Sequence, residues 1–372
     1  IAVHRTGVPA HRAAWLDAPG EPSDVLDRIA YLEPSAEFRT RFQPSPVMYV
    51  ASGQYLAHTT GGSFESAMRQ RVLEPLGMTD ASLSPDAISA TDNFAAPHVI
   101  VDGELQRLPF RDYSHVAAGV GLAAGADQLA SWLRVHLGSG AVGETRIVSE
   151  ARMAELHTPQ ILVSAEPGDD VETVQPIGYA LGWMVDMYRG HRRLRCEADL
   201  PGYSAVIAVL PTAGVAAAAM TNVGGSELPE AVTREAIDRV LRLESRNWAP
   251  RLAERQRKQG RATVELPPRQ DDTAPSRALV HFTGTYEHPA YGQITVDLKQ
   301  GDLAVDFQGT QRSLRHWHYD VFRMEAGGVV DPLAGRLAQF RTDLAGKLST
   351  LAIQLDPALL PIEFKRAPEA EG

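Results

Sequence analysis

Two hydrophobic periods divide the chain. After Ser63, which is placed as an N-cap, Phe64, Met68 and Val72 recur at helical spacing until Pro75 and Gly77 stop the run. A second amphipathic helix is predicted over about 127–137, with Leu129, Trp132, Leu133 and Leu137 facing a core. From residue 178 the period shortens. Gly178–Met187 reads as a strand and Arg189-Gly190 as a turn. Tyr203–Leu210 and Gly214–Thr221 read as apolar strands joined by Pro211-Thr212-Ala213. The small residues Ala216 to Ala219 predict a sheet packed closely by helices on both faces, one of them running from about Leu228 to Glu244. Beyond residue 279 nearly everything alternates. Strands are predicted at Gln293–Leu298, Leu303–Phe307, Ser313–Met324, Arg336–Thr342, Lys347–Leu355 and Pro361–Lys365, with turns at 300–302 and 344–346.

These periods predict an α+β domain over 1–245, a charged, Pro-containing helical extension and linker over 246–277, and a small all-β barrel-like module over 278–368. A length of 372 residues suits one large domain and a small one. The net charge of −10 argues against nucleic acid and anionic membrane surfaces as partners, since both reward basic patches. No run of eighteen apolar residues predicts a membrane-spanning helix. Cys196 is the sole cysteine, which excludes an intrachain disulfide and a cysteine zinc cluster and fits a reducing, cytoplasmic setting. No signal peptide is visible, but the chain begins at Ile1 rather than Met, so the expectation is that residues upstream are missing from it.

Several segments together resemble the class C β-lactamase-related serine hydrolases, relatives of penicillin-binding proteins and D-aminopeptidases. They are His4-Arg5-Thr6-Gly7-Val8-Pro9, Phe42 to Tyr49, Leu73-Glu74-Pro75-Leu76-Gly77-Met78, Gly178-Tyr179-Ala180-Leu181-Gly182-Trp183 and Leu200-Pro201-Gly202-Tyr203. Gly284-Thr285-Tyr286-Glu287 and His316-Trp317-His318-Tyr319 resemble a β-rich module often appended to that family. The resemblance implies a β-lactamase/transpeptidase-like antiparallel sheet sandwiched by helices. It also implies acyl transfer by a serine and lysine of an S-x-x-K motif, a tyrosine base in Y-x-N, and K-T-G or H-x-G on the strand opposite. Such a site activates a weak nucleophile with an adjacent base and surrounds the oxyanion with preorganised donors.

The motifs are not met. The lysines are Lys258, Lys299, Lys347 and Lys365, and none has a serine three residues before it. The family's S-x-x-K, with the first strands of its sheet, would fall upstream of His4. A sheet lacking those strands has an open edge, which an upstream segment, a second chain or a rearrangement is expected to cover. Pro44-Ser45-Pro46 stands where Y-x-N is expected, and Cys196-Glu197-Ala198, followed by Asp199, where H-x-G is expected. Neither proline can accept a proton.

Cys196, Glu197 and Asp199 are therefore the candidate catalytic residues of a different chemistry, because carboxylates in a cleft acquire raised pKa values readily. The bland alternative is a set of charges facing solvent. Ser45, Tyr49, His115 and Tyr203 are the candidate ligand-binding residues. His316, His318 and Asp320 would share a strand face at i, i+2 and i+4, a spacing that suits a metal, but packing of the appended module is the preferred reading and no metal is expected. The basic run Arg251 to Arg261 is read as a solvated helix face. No P-loop, dinucleotide fingerprint, H-E-x-x-H or G-x-S-x-G occurs, so no cofactor is expected.

Three functions compete. One is a pocket repurposed for non-hydrolytic chemistry on a small-molecule ligand, such as cyclisation or isomerisation. Another is a residual serine hydrolase with Ser and Lys on an upstream segment. The last is a non-catalytic binding or scaffold protein. The expected partners are a small molecule and a homo-oligomer or an active homologue.

Overall fold

The computed structural model describes residues 1–18, 20–165, 173–259, 266–356 and 359–368. Contacts divide the chain into two compact units, Ile1–Gly7 with Ala36–Arg261 and Val8–Ser35 with Ala262–Gly372. Residues 260–265 of the expected linker lie outside the described residues.

The first unit is built on an antiparallel sheet in which sequence neighbours pair, from Ile161–Leu162 through Val174–Tyr179, Met184–Tyr188, His191–Leu200 and Tyr203–Leu210 to Val215–Thr221. The Gly178–Met187 run is thus the end of one strand and most of the next, with Ala180–Trp183 turning between them. Alternation along each strand sends side chains to two different cores. Leu194, Val209, Ala216 and Ala218 meet Leu133 of the Ala126–Leu137 helix. Ala208, Leu210, Val215 and Ala217 meet Ala231 and Ile237 of the Leu228–Val240 helix and Trp248 and Leu252 of the Trp248–Gln259 helix. The four alanines at 216–219 let helices approach both faces, as their size predicts.

Ser63 caps the Phe64–Met68 helix, its hydroxyl accepting the Ser66 amide at 3.0 Å. That helix continues as a wider turn over Arg69–Leu73. Leu73, Leu76 and Met78 then bury with Val135 and Met153. The Val215–Thr221 strand pairs with Tyr203–Leu210 on one side only among the described residues, so no rearrangement within them covers the expected open edge.

Between the sheet and the Leu228–Val240 helix lies a buried charge network. Arg193, fully buried, holds Asp186 by two bonds of 2.9 Å. Glu230 accepts from Arg234 at 2.6 Å and lies 3.6 Å from Arg193. Asp238 accepts from the Tyr188 hydroxyl at 2.7 Å, Arg189 at 2.6 Å and the Trp248 indole at 2.8 Å. The guanidinium of Arg193 also stacks over the Tyr188 ring at 4.7 Å, and that of Arg234 over Trp248 at 4.9 Å.

In the second unit eight antiparallel strands, from Gly284–His288 to Ile362–Arg366, close into a barrel. The predicted Ser313–Met324 strand is two, Thr310–His318 and Val321–Met324, joined by a turn at Tyr319. Phe282, Phe322, Phe340 and Tyr286 pack edge-on or tilted inside, with ring centroids 4.8 to 5.8 Å apart. Residues 8–35 belong to this unit because buried His11 joins its imidazole to the Tyr291 hydroxyl at 2.6 Å and to the Glu33 carbonyl at 2.9 Å. No helix among the described residues is long and apolar enough to cross a membrane.

Candidate active site

The chain approaches the family site through Phe42 and Gln43, whose amide donates to the His4 carbonyl at 2.9 Å. Pro44-Ser45-Pro46 then leads directly into the Val47–Thr60 helix, with Pro46 already at helical angles. A proline is tolerated there because the first amides of a helix have no intrahelical partner. Ser45 has no exposed surface, and its amide donates to His4 Nδ1 at 3.1 Å. This bond leaves the His4 proton on Nε2. Burial lowers the His4 pKa to about 4, so the ring is neutral.

His4 is the hub of an aromatic cluster, its ring 5.8 Å from Phe42, 5.3 Å from Tyr49 and 5.0 Å from Tyr179. Tyr179 donates its hydroxyl to Tyr49, and Tyr49 donates to the Ala2 carbonyl at 2.9 Å. Burial raises both phenols, and Tyr179 rises further because its proton is committed to Tyr49. Both are neutral hydrogen-bonding groups near pH 7, and neither is a ready base. Cys196 contributes a smaller upward push to both. Although Cys196 is exposed over much of its surface, crowding around the sulfur and the Glu197 carboxylate raise its thiol, against a smaller opposing pull from Arg195. It is a thiol rather than a thiolate at neutral pH.

The strand at 191–200 separates the three candidate catalytic residues. Successive side chains point to opposite faces. Cys196 follows Leu194 on the face toward the Ala126–Leu137 helix. Glu197 and Asp199 follow Arg193 and Arg195 on the other face. Glu197 is exposed and pairs with Arg195 at 2.5 Å. Asp199 accepts the Gly225 amide at 2.7 Å and the Ser204 hydroxyl at 3.0 Å, tying the strand end to the loop that precedes the Leu228–Val240 helix.

Of the candidate ligand-binding residues, Ser45 and Tyr49 both border His4, Ser45 through its amide and Tyr49 through its ring. Tyr203 is spent elsewhere, donating to the Ala95 carbonyl at 2.8 Å. His115 is buried in the Ser114–Val116 turn. His4, Phe42 and Tyr179 were missed by sequence reasoning, although all three stand inside the segments that carry the family resemblance. In the barrel, a bulge between His316 and His318 breaks the alternation that would have aligned them with Asp320. His316 bonds the Tyr319 carbonyl, His318 accepts the Gln270 amide, and Asp320 holds Ser276 by its amide and hydroxyl. No metal-binding cluster occurs among the described residues.

Residues 1–242 match the β-lactamase family model, and the chain belongs to that family. Residues 268–366 match a second family, described as a domain of unknown function, DUF3471. Two curated fungal proteins are similar. The unguisins hydrolase ungD' of Aspergillus campestris (strain IBT 28561) is 26% identical over 320 residues, covering 80% of this chain and 57% of that protein. The unguisins hydrolase ungD of Aspergillus violaceofuscus (strain CBS 115571) is 23% identical over 349 residues, covering 84% and 60%. The chain thus spans less than two thirds of the length of these relatives. Among solved structures, the octameric penicillin-binding protein homologue from Pyrococcus abyssi superposes with a TM-score of 0.59 at 17% identity, over 98% of this chain and 77% of that one.

Proposed function

We propose that this β-lactamase-family protein binds a small molecule at the Tyr49–Tyr179–Cys196 face and acts on it without Ser–Lys–Tyr hydrolysis. The observation that carries this reading is the fate of the second motif. Pro44 and Pro46 bring no titratable group, and Ser45 is sealed under His4 with its amide committed to the imidazole. In place of a base, the site presents two neutral phenols in series and a thiol, groups that orient a polar ligand and relay a hydrogen bond. Cyclisation or isomerisation suits that equipment. Glu197 and Asp199 take no part in this reading, since they stand on the opposite face.

A second reading has its own support. Both curated relatives are named hydrolases and extend well beyond the part this chain matches. A serine and lysine supplied by a longer form of the protein would make it a serine hydrolase of esterase, peptidase or β-lactamase type. Fluorescent penicillin and a fluorophosphonate, each incubated with the full-length protein, separate the two. Non-hydrolytic chemistry predicts no covalent adduct with either probe. A stoichiometric adduct located on a serine by peptide mass spectrometry would overturn it in favour of the hydrolase.

A further inference from the structure

We propose that residues 8–35 act as a strap by which the barrel unit sets the geometry of the His4–Ser45 end of the candidate site, with His11 as its clasp. That end counts as a site on the strength of the function proposed above, whereas the strap stands on geometry alone. The excursion leaves the first unit after Gly7 and returns at Ala36, although its own residues belong with the barrel. Its two roots close on each other as a neck. The Gly7 carbonyl accepts the Ala36 amide at 3.3 Å, the Arg5 carbonyl accepts the Arg39 amide at 2.8 Å, and the His4 carbonyl accepts the Gln43 amide at 2.9 Å. The same run ends on the Ser45 amide, which donates to His4 Nδ1 at 3.1 Å. The neck is tight, since Gly7 has φ +82° and a Cβ there would stand 2.1 Å from the Ala36 carbonyl oxygen. His4 and Ser45 are therefore the last rung of a ladder whose first rung is the root of the strap.

Beyond the neck, His11 ties both arms of the strap to the barrel. Its backbone belongs to the outgoing arm. Its Nε2 donates to the Glu33 carbonyl of the returning arm at 2.9 Å, which leaves Nδ1 to accept the Tyr291 hydroxyl at 2.6 Å. Burial lowers the His11 pKa, so the ring is neutral and keeps that tautomer. The His11 amide donates to the Asp356 carboxylate at 3.3 Å, and the Gln308 side-chain amide donates to the Ala13 carbonyl at 2.7 Å. His11 holds these bonds at a φ of 44°, a left-handed conformation that a residue with a side chain keeps only where its surroundings impose it. Trp15, Val25 and Leu32 are buried along the strap. Only Val8, Pro9 and Ala10 separate His11 from Gly7, and only Pro34 and Ser35 separate Glu33 from Ala36. A proline in each arm fixes one backbone dihedral and removes slack. With so little chain between them, clasp and neck open and close together.

The test is amide hydrogen exchange of the full-length protein, read at single residues by mass spectrometry. Tyr291→Phe removes the hydroxyl and keeps the ring. Gln308→Asn keeps a side chain that tolerates the positive φ of 53° but is too short to reach Ala13, and it carries the test if Tyr291→Phe disturbs the barrel core. Each variant is expected to speed exchange of the Ala14 amide, which the His11 carbonyl accepts at 2.8 Å, by about tenfold, the size of one hydrogen bond lost from a local opening. The Arg39, Gln43 and Ser45 amides should speed up by a similar factor, while the paired amides of the Tyr203–Leu210 strand keep their rates. A strap that speeds up while Arg39, Gln43 and Ser45 stay within about twofold would overturn the coupling. So would a strap that neither variant alters, or a Tyr203–Leu210 strand that accelerates as much as the neck. The readout involves no turnover, so failure of the chemistry proposed for the site and failure of the strap are told apart.

Discussion

Glu230 offers a direct measure of the buried charge network. The residue is 3% exposed and burial raises its pKa, yet Arg193, Arg234 and Arg195 outweigh burial and lower it from 4.5 to about 2. A shift of that size corresponds to about 3 kcal/mol of stability at neutral pH. The folded-state pKa is depressed, so this contribution is complete above pH ~4.5, where the unfolded chain is ionised too. It is lost as pH falls through about 2, where the folded carboxylate also takes up its proton. Glu230→Gln keeps the shape and removes the charge. The variant should unfold in urea with about 3 kcal/mol less stability at pH 7, in line with the cost of breaking a buried pair. The gap between variant and unaltered protein should hold down to pH ~5 and close toward pH 2. Stability curves that run parallel from pH 5 to pH 2, or a variant within about 0.5 kcal/mol at pH 7, would show that the arginines do not hold this carboxylate as described.

Two further outcomes follow from the same physics. Asp199→Ala should cost about 2 kcal/mol in denaturant unfolding, because the Gly225 amide and Ser204 hydroxyl lose a charged acceptor, and it should leave any ligand binding at Tyr49 and Tyr179 unchanged; a variant as stable as the parent would refute its tethering role. His136 and His157 share a buried ring–ring hydrogen bond of 2.9 Å, and burial lowers them to about 3 and about 4. Their stabilisation is therefore complete above pH ~6.5 and drains away as the pH falls toward 4, so His157→Gln should flatten that slope by up to about 1.4 kcal/mol per pH unit, with an unchanged slope counting against the pairing.

Much of the fold was legible in the residues. The strands at 203–210 and 215–221 and the helix at 126–137 appear where the apolar periods place them, because each buries one face against a neighbour of matching period. The barrel was legible for the same reason, except where a turn at Tyr319 divides one alternating run in two. Pro44-Ser45-Pro46 and Cys196-Glu197-Ala198, where the family resemblance leads one to expect Y-x-N and H-x-G, are read directly from residue type.

What the site contains was less so. Grouping Cys196 with Glu197 and Asp199 ignored the alternation of the strand on which they lie, a rule available without a structure. The role of His4 needed the fold, because its imidazole meets Ser45 from 41 residues away. So did the joining of residues 8–35 to the barrel, which depends on His11 meeting Tyr291 across 280 residues. Local period and residue type are written along the chain and determine which segments bury a face. Which side chains share a pocket is set by long-range packing, and hydrogen bonds between distant residues leave no periodic trace in the sequence.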